Sequence, residues 1–105
     1  MNVGTQDVGV AISAAGTTQA TAQLLINGLC WVTTVASGAG VVLFSGNQGT
    51  SQTVYNAGAN QLKVYPPSGA QINALGTNNA MTLPINTVCH FWTLSSVQMI
   101  GILSA

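Results

Sequence analysis

Short runs of β-prone residues, interrupted by glycine, asparagine and serine about every ten positions, limit what this chain can fold into. The interruptions include Asn27-Gly28, residues 46–49 and residues 57–60. No window has apolar residues at helical spacing, and the helix formers glutamate and arginine are absent from the sequence. Regular spacing of this kind is typical of β-sandwiches and barrels. We therefore predict an all-β fold.

The spacing predicts about eight strands, mostly antiparallel because their connections are short. The expected architecture is a single antiparallel β-sandwich or barrel, similar to a jelly roll. Asn27-Gly28 readily adopts positive φ, so residues 18–26 and 30–35 are predicted to form a hairpin. Pro66-Pro67 should end a strand over 61–65, and the loop that follows should be anchored by Ile72 and Leu75. The remaining strands are predicted at 41–44, 50–56, 80–85, 87–94 and 97–103.

The first seventeen residues differ from the rest of the chain. Their only large apolar side chains are Val3, Val8, Val10 and Ile12, too few to form a core. We predict an extended N-terminal arm over residues 1–17 that pairs with another sheet, followed by a β-sandwich domain over 18–105. A first edge strand with a frayed end explains the same pattern equally well.

Charge is almost missing from the sequence. Lys63 and Asp7 are its only fully charged side chains, or 2% of residues, where soluble domains usually have about a quarter. Such a chain lacks the groups for an acid/base pair, a carboxylate metal cage or a phosphate clamp. We predict a protein that is not an enzyme, needs no metal or cofactor, and binds no nucleic acid.

A few reactive side chains could still be combined on paper. Asp7, His90 and a serine would make a triad, but the nucleophile elbow Gly-x-Ser-x-Gly does not occur. Cys30 with His90 would make a thiol pair, but no electropositive pocket is evident to activate it. Each cysteine, Cys30 and Cys89, lies in an apolar run, so a small buried hydrophobe is the favoured interpretation.

His90 alternates with Cys89 and Phe91 and should share a strand face with Val88 and Trp92. The favoured interpretation is a packed histidine bonded to a backbone carbonyl. The alternative is a histidine that meets its own copies at the axis of a multimer and binds a metal or an anion there.

The longest apolar runs have only four residues, far below the roughly eighteen that span a bilayer, and no positively charged leader is visible. We predict neither membrane insertion nor export, and therefore a site of synthesis and assembly in a cytoplasm. An ice-binding solenoid would need threonines at a fixed repeat, which the sequence lacks.

The last strand is apolar on both faces. A terminal strand of this kind implies a central position in a sheet or a covering subunit, and charge-poor surfaces are typical of obligate interfaces. We therefore predict a homo-oligomer held together by apolar contacts. The predicted interface residues are Val3, Val8, Val10, Ile12, Met99, Ile100, Ile102 and Leu103.

The central segment contains the pattern Val54-x-Asn56-x-Gly58-Ala-Asn-x-Leu-x-Val-Tyr-Pro-Pro-x-Gly69, followed by Ile72-Asn-Ala-Leu75. This pattern resembles small β-rich virion proteins of tailed bacteriophages. The resemblance is strong over about a quarter of the chain and is carried by scaffold residues.

The resemblance implies a capsid decoration (cement) protein, often trimeric, that contacts the major capsid protein on the virion surface after assembly in the host cytoplasm. A tail-fibre or receptor-binding module is the alternative role. In either role the chain would act mechanically, and an apolar arm could augment a neighbouring sheet.

Overall fold

The computed structural model describes residues 8–103, and over this range the chain forms ten β-strands and no helix. The predicted all-β fold is confirmed. The count exceeds eight because β1 forms within the predicted arm and β7 within the predicted loop. The strands are β1 (Val8–Ser13), β2 (Gln23–Leu24), β3 (Leu29–Thr34), β4 (Gly40–Val42), β5 (Ser51–Asn56), β6 (Leu62–Tyr65), β7 (Gln71–Ile72), β8 (Met81–Leu83), β9 (Val88–Thr93) and β10 (Gln98–Leu103).

The first nine strands alternate between two sheets packed around a shared core. The large sheet has the order β1-β3-β5-β9-β10-β7, and the small sheet has the order β2-β4-β6-β8. In the large sheet β1, β3 and β5 are parallel, and in the small sheet β2, β4 and β6 are parallel. The chain therefore winds through three stacked coils in a solenoid-like arrangement.

The predicted antiparallel β-sandwich was wrong, because consecutive strands do not pair with each other as expected. Short connections were expected to return the chain to the same sheet, but most of them lead from one sheet to the other. Asn27-Gly28 lies between β2 of the small sheet and β3 of the large sheet, so the predicted hairpin does not form. Along the large sheet Val8 aligns with Leu29 and Leu29 with Thr53, which gives unequal coils of roughly 20 to 25 residues. Unequal coils explain why the sequence shows no fixed repeat.

Antiparallel strands close the stack after the third coil. β9 pairs with β5 in the large sheet, and β8 pairs with β6 in the small sheet. β10 then runs antiparallel to β9, and β7 pairs with its first residues. These strands act as a cap, because the last coil would otherwise expose two rows of unpaired backbone groups.

The core lies between the sheets. Cys30, Val54 and Cys89 form one fully buried row across β3, β5 and β9, beside Phe91. Both cysteines are thiols, as the buried-hydrophobe interpretation predicted. The two cysteines are two strand spacings apart, about 9.6 Å between Cα atoms, which is too far for a disulfide.

Two buried amides fasten the coils to each other. The Asn56 Nδ2 donates to the carbonyls of Asn60 and Leu83 at 2.9 and 3.0 Å, while its Oδ1 accepts from the Gly58 amide at 3.0 Å. Gln52 likewise bonds the backbone of the β2–β3 segment and of residue 44. These uncharged amides satisfy interior backbone groups that the strand ladders leave unpaired.

Residues 8–13 form an edge strand beside β3, and Ile12 packs against the core. In this range the chain follows the edge-strand alternative to the arm. Val3 and Asp7 lie outside the described residues. Whether the N-terminal segment also pairs with a partner stays a prediction.

The end of β6 is as predicted, and the loop that follows is so only in part. Leu62 and Val64 are buried and Lys63 points outward, and β6 ends before Pro66-Pro67. Ile72 is fully buried, but Leu75 is 44% exposed, so only one of the two predicted anchors reaches the core. The difference arises because β7 directs Ile72 inward, whereas Leu75 lies beyond the end of that strand.

Candidate functional site

The outer face of the large sheet is the most distinctive surface of the molecule. Since side chains alternate along a strand, the residues between the core positions all point to the opposite side. We define the outer face by Val8 of β1, Leu29 and Trp31 of β3, Ser51, Thr53 and Tyr55 of β5, Val88, His90 and Trp92 of β9, and Ile100 and Ile102 of β10. It is therefore mainly aromatic and aliphatic.

His90 lies near the centre of this face. Its register partners are Thr53 on β5 and Ile102 on β10. A 2.8 Å hydrogen bond joins Thr53 Oγ1 to His90 Nδ1, and the imidazole stacks on Trp92 with ring centroids 5.7 Å apart. The packed-histidine interpretation was wrong, because His90 is exposed and its partner is a hydroxyl rather than a backbone carbonyl.

Electrostatically, the outer face is almost featureless. It contains none of the Asp, Glu, Lys or Arg side chains among residues 8–103, and Lys63 lies on the far side of the molecule, on the small sheet. Even so, large apolar groups are accessible to solvent, with Trp31 45% and Ile102 59% exposed. An extended apolar surface on a soluble protein usually marks a contact site.

Both edges of the large sheet are irregular or partly covered, which makes them poor templates for a further strand. At the β1 edge the pairing with β3 is irregular and Ala11 has φ of 57°, which interrupts the ladder. At the β10 edge the Asn73 side chain takes the place of a strand, accepting from the Gly101 amide at 3.1 Å and donating to the Gly101 carbonyl at 3.3 Å. Irregular and covered edges discourage strand addition, which leaves the face as the surface for contact.

The predicted interface residues lie in different parts of the structure, and only some of them are on the outer face. Val8, Ile100 and Ile102 lie on the outer face, and Val10 is exposed beside it on β1. Met99, 3% exposed, and Ile12 belong to the core or pack against it. Leu103 ends the inward row of β10, and Val3 lies outside the described residues.

This face was not predicted from the sequence as one continuous surface. The shared strand face of Val88, His90 and Trp92 was expected, but Trp31 and Tyr55 were not placed beside it. The available signal was two-sided apolarity, which β10 shows and which Leu29–Thr34 and Val88–Thr93 show as well. An interface was predicted from two-sided apolarity only at the last strand. The same signal does not show that β3, β5 and β9 lie side by side.

The reactive groups considered from the sequence are not brought together. Cys30 points into the core and His90 points out of the opposite side of the sheet. Burial also raises the pKa of the Cys89 thiol to about 11, so it stays protonated at neutral pH. Asp7 lies outside the described residues. Within residues 8–103 no group of three or more His, Cys, Asp or Glu side chains is placed to hold a metal ion.

A polar cleft of about 390 Å³ lies on the small-sheet side of the molecule. Its lining includes Lys63, Asn60, Thr82 and the exposed Ile85. The cleft offers hydrogen-bonding groups and one ammonium, but no buried polar atom directed at a ligand.

No protein-family model, no curated protein and no solved structure matches this chain. In the described part of the chain, no helix of the length and apolarity required to cross a membrane occurs.

Proposed function

We propose that this protein is a non-enzymatic structural subunit that works by contact. The observation that carries the proposal is the outer face of the large sheet, which is broad, aromatic and aliphatic, and free of Asp, Glu, Lys and Arg among the described residues. Surfaces with this composition are typical of the buried cores of stable interfaces.

The setting we propose is the virion of a tailed bacteriophage, with the chain as a capsid decoration protein bound to the major capsid protein and to copies of itself. The resemblance over residues 54–75 supports this setting. Those residues form the end of β5, then β6, the proline stop and β7, which suits a pattern of scaffold residues. The resemblance by itself also favours a trimer.

Salt tests the contact mechanism. Apolar and backbone contacts are insensitive to ionic screening, whereas ion pairs at a surface weaken as salt rises. We expect the protein to stay on purified particles through a wash in about 1 M NaCl, measured by protein gel of pelleted particles. Release into the supernatant would contradict adhesion through uncharged contacts.

The stacked coils favour a second role, a tail-fibre or receptor-binding module. Parallel coils that repeat along an axis suit a fibrous assembly, and three of them precede the cap here. Quantitative mass spectrometry of intact particles separates the two roles. Several hundred copies per particle would indicate decoration, and a few to a few dozen would indicate a fibre.

A further inference from the structure

We propose that copies of this chain contact one another through the outer face of the large sheet. The inference rests on the proposed contact function and adds its partner, a second copy presenting the same face. Three observations support it: the size of the face, its lack of charged side chains, and the irregular or partly covered edges of the sheet.

The face is about the size that a specific interface needs. Its five strands lie about 4.8 Å apart and are each six residues long at roughly 3.3 Å per residue, so they cover about 24 by 20 Å, or roughly 480 Å². Two such faces in full contact bury roughly 960 Å² by this planar measure, close to the roughly 1,000 Å² expected of a biological interface. A contact over only a corner of the face would fall well below that value.

The chemistry of the face selects its partner. A nucleic acid, an anionic membrane or an acidic protein would find no cation on the outer face, because Lys63 lies on the opposite side. A second copy offers the same uncharged aromatic and aliphatic surface. Joining the two requires no Asp, Glu, Lys or Arg to lose its hydration, and such desolvation is the main cost of burying polar surfaces.

The irregular edges of the sheet favour association through the face. Open edges of uncharged strands would pair edge to edge and form extended sheets. The irregular β1 strand and the Asn73 side chain at β10 make that pairing less favourable. Contact between two identical faces yields a closed dimer rather than the trimer that the resemblance favours.

Placing a lysine on the face tests the proposal. Ile102→Lys and Trp31→Lys put an ammonium at exposed positions on the outer face, where the fold itself does not require an apolar group. Val97→Lys is the matched control, because Val97 is also 59% exposed but lies in the turn before β10, off the face. Circular dichroism and melting temperature establish that all three variants are folded.

Sedimentation velocity at neutral pH provides the readout. We expect the unmodified protein and Val97→Lys to sediment as a multiple of the 10.6 kDa chain, and both face variants to sediment as the monomer. A monomeric unmodified protein at about 100 μM, well above typical dissociation constants of stable complexes, would overturn the inference. So would an oligomer that both face variants leave intact, or one that Val97→Lys also disrupts.

Particle binding separates this inference from the proposed function. If the unmodified protein is monomeric yet binds capsid particles, the self-contact is wrong and the structural role stands. If it forms face-dependent oligomers that bind no virion component, the self-contact stands and the virion role is wrong.

Discussion

Asn56 shows how a chain with almost no charge keeps polar backbone groups satisfied in its interior. Its amide makes three hydrogen bonds to backbone atoms, two in the β5–β6 connection and one at Leu83 of β8, from a fully buried position at the end of β5. An uncharged amide does this without the desolvation cost of a carboxylate or an ammonium. Gln52 has the same role at the other end of the strand.

Replacing Asn56 should therefore destabilise the fold strongly. Asn56→Ala leaves buried backbone donors and acceptors unpaired, each at about 1–3 kcal/mol, so we expect a loss of about 3 kcal/mol in the free energy of unfolding. Urea denaturation measures it. Gln61→Ala, an exposed amide in the next turn, is the control and should change stability by less than about 0.5 kcal/mol. Equal effects of the two variants would contradict the role assigned to Asn56.

Cys89 makes stability depend on alkaline pH. Burial raises its thiol pKa from 9.0 to about 11, so above pH 9 the unfolded chain loses a proton that the folded chain retains. Its contribution is complete below pH 9 and is lost as pH rises toward 11. We expect the free energy of unfolding to fall by about 1.4 kcal/mol per pH unit in that window from this group.

Cys89→Ala isolates that dependence. The variant is less stable overall because it leaves a small cavity, but the slope attributable to the thiol should disappear from its pH profile. Urea midpoints measured from pH 7 to 11 for both proteins provide the comparison. An unchanged slope in the variant would show that other groups cause the alkaline loss.

At the scale of elements, the β-prone runs were enough to predict where most strands lie, but not that many of them run parallel. Period-two alternation also accounts for the two faces of each strand. In β5 it puts Gln52, Val54 and Asn56 on one side, and in β6 it directs Lys63 to solvent. It could not predict which strands pair, because alternation describes the two faces of a strand and not its neighbours. Turn residues such as Asn27-Gly28 permit a sharp change of chain direction. Both a hairpin and a crossing between sheets need such a change, so the turn residues do not tell them apart.

The β10 edge provides a test at this scale. Asn73→Gly tolerates the positive φ of 54° at this position and removes only the amide that bonds Gly101. We expect faster hydrogen exchange at the Gly101 amide and a loss of about 1 kcal/mol in stability. Asn86→Gly, also at positive φ and with no side-chain clamp on a strand, is the control and should leave Gly101 exchange unchanged. If exchange at Gly101 does not respond to Asn73→Gly, the clamp is not protecting the edge.

For the whole molecule, His90 lies near the centre of the face through which copies are proposed to meet. The groups around it, Thr53, Trp92 and Ile102, carry no charge. A permanent charge at this position would be uncompensated in the contact between copies, which opposes association.

We therefore expect His90→Lys to weaken the oligomer by about tenfold or more in affinity, measured by sedimentation at several concentrations. His90→Gln keeps an uncharged polar side chain at the same place and should associate as the unmodified protein does. An oligomer that His90→Lys leaves unchanged would contradict a contact centred on His90.

The sequence predicts the candidate face only in part, because the face depends on the topology of the whole molecule. Apolar residues on both sides of a strand indicate that it is covered twice, once by the core and once by something else. The sequence contains that signal in three strands, but their assembly into one continuous surface depends on β9 inserting between β5 and β10. That insertion is a property of the complete topology.

The cap also determines when this protein can finish folding during its synthesis. The three parallel coils emerge from the ribosome first, and β8, β9 and β10 emerge last. Until they arrive, β5 and β6 have unpaired edges in an uncharged chain, with Lys63 as the one ammonium nearby. A product terminated before residue 81 would keep those edges permanently, and such edges promote aggregation. Synthesis through β10 is therefore a condition for covering these edges, and residues 81–103 protect the preceding coils.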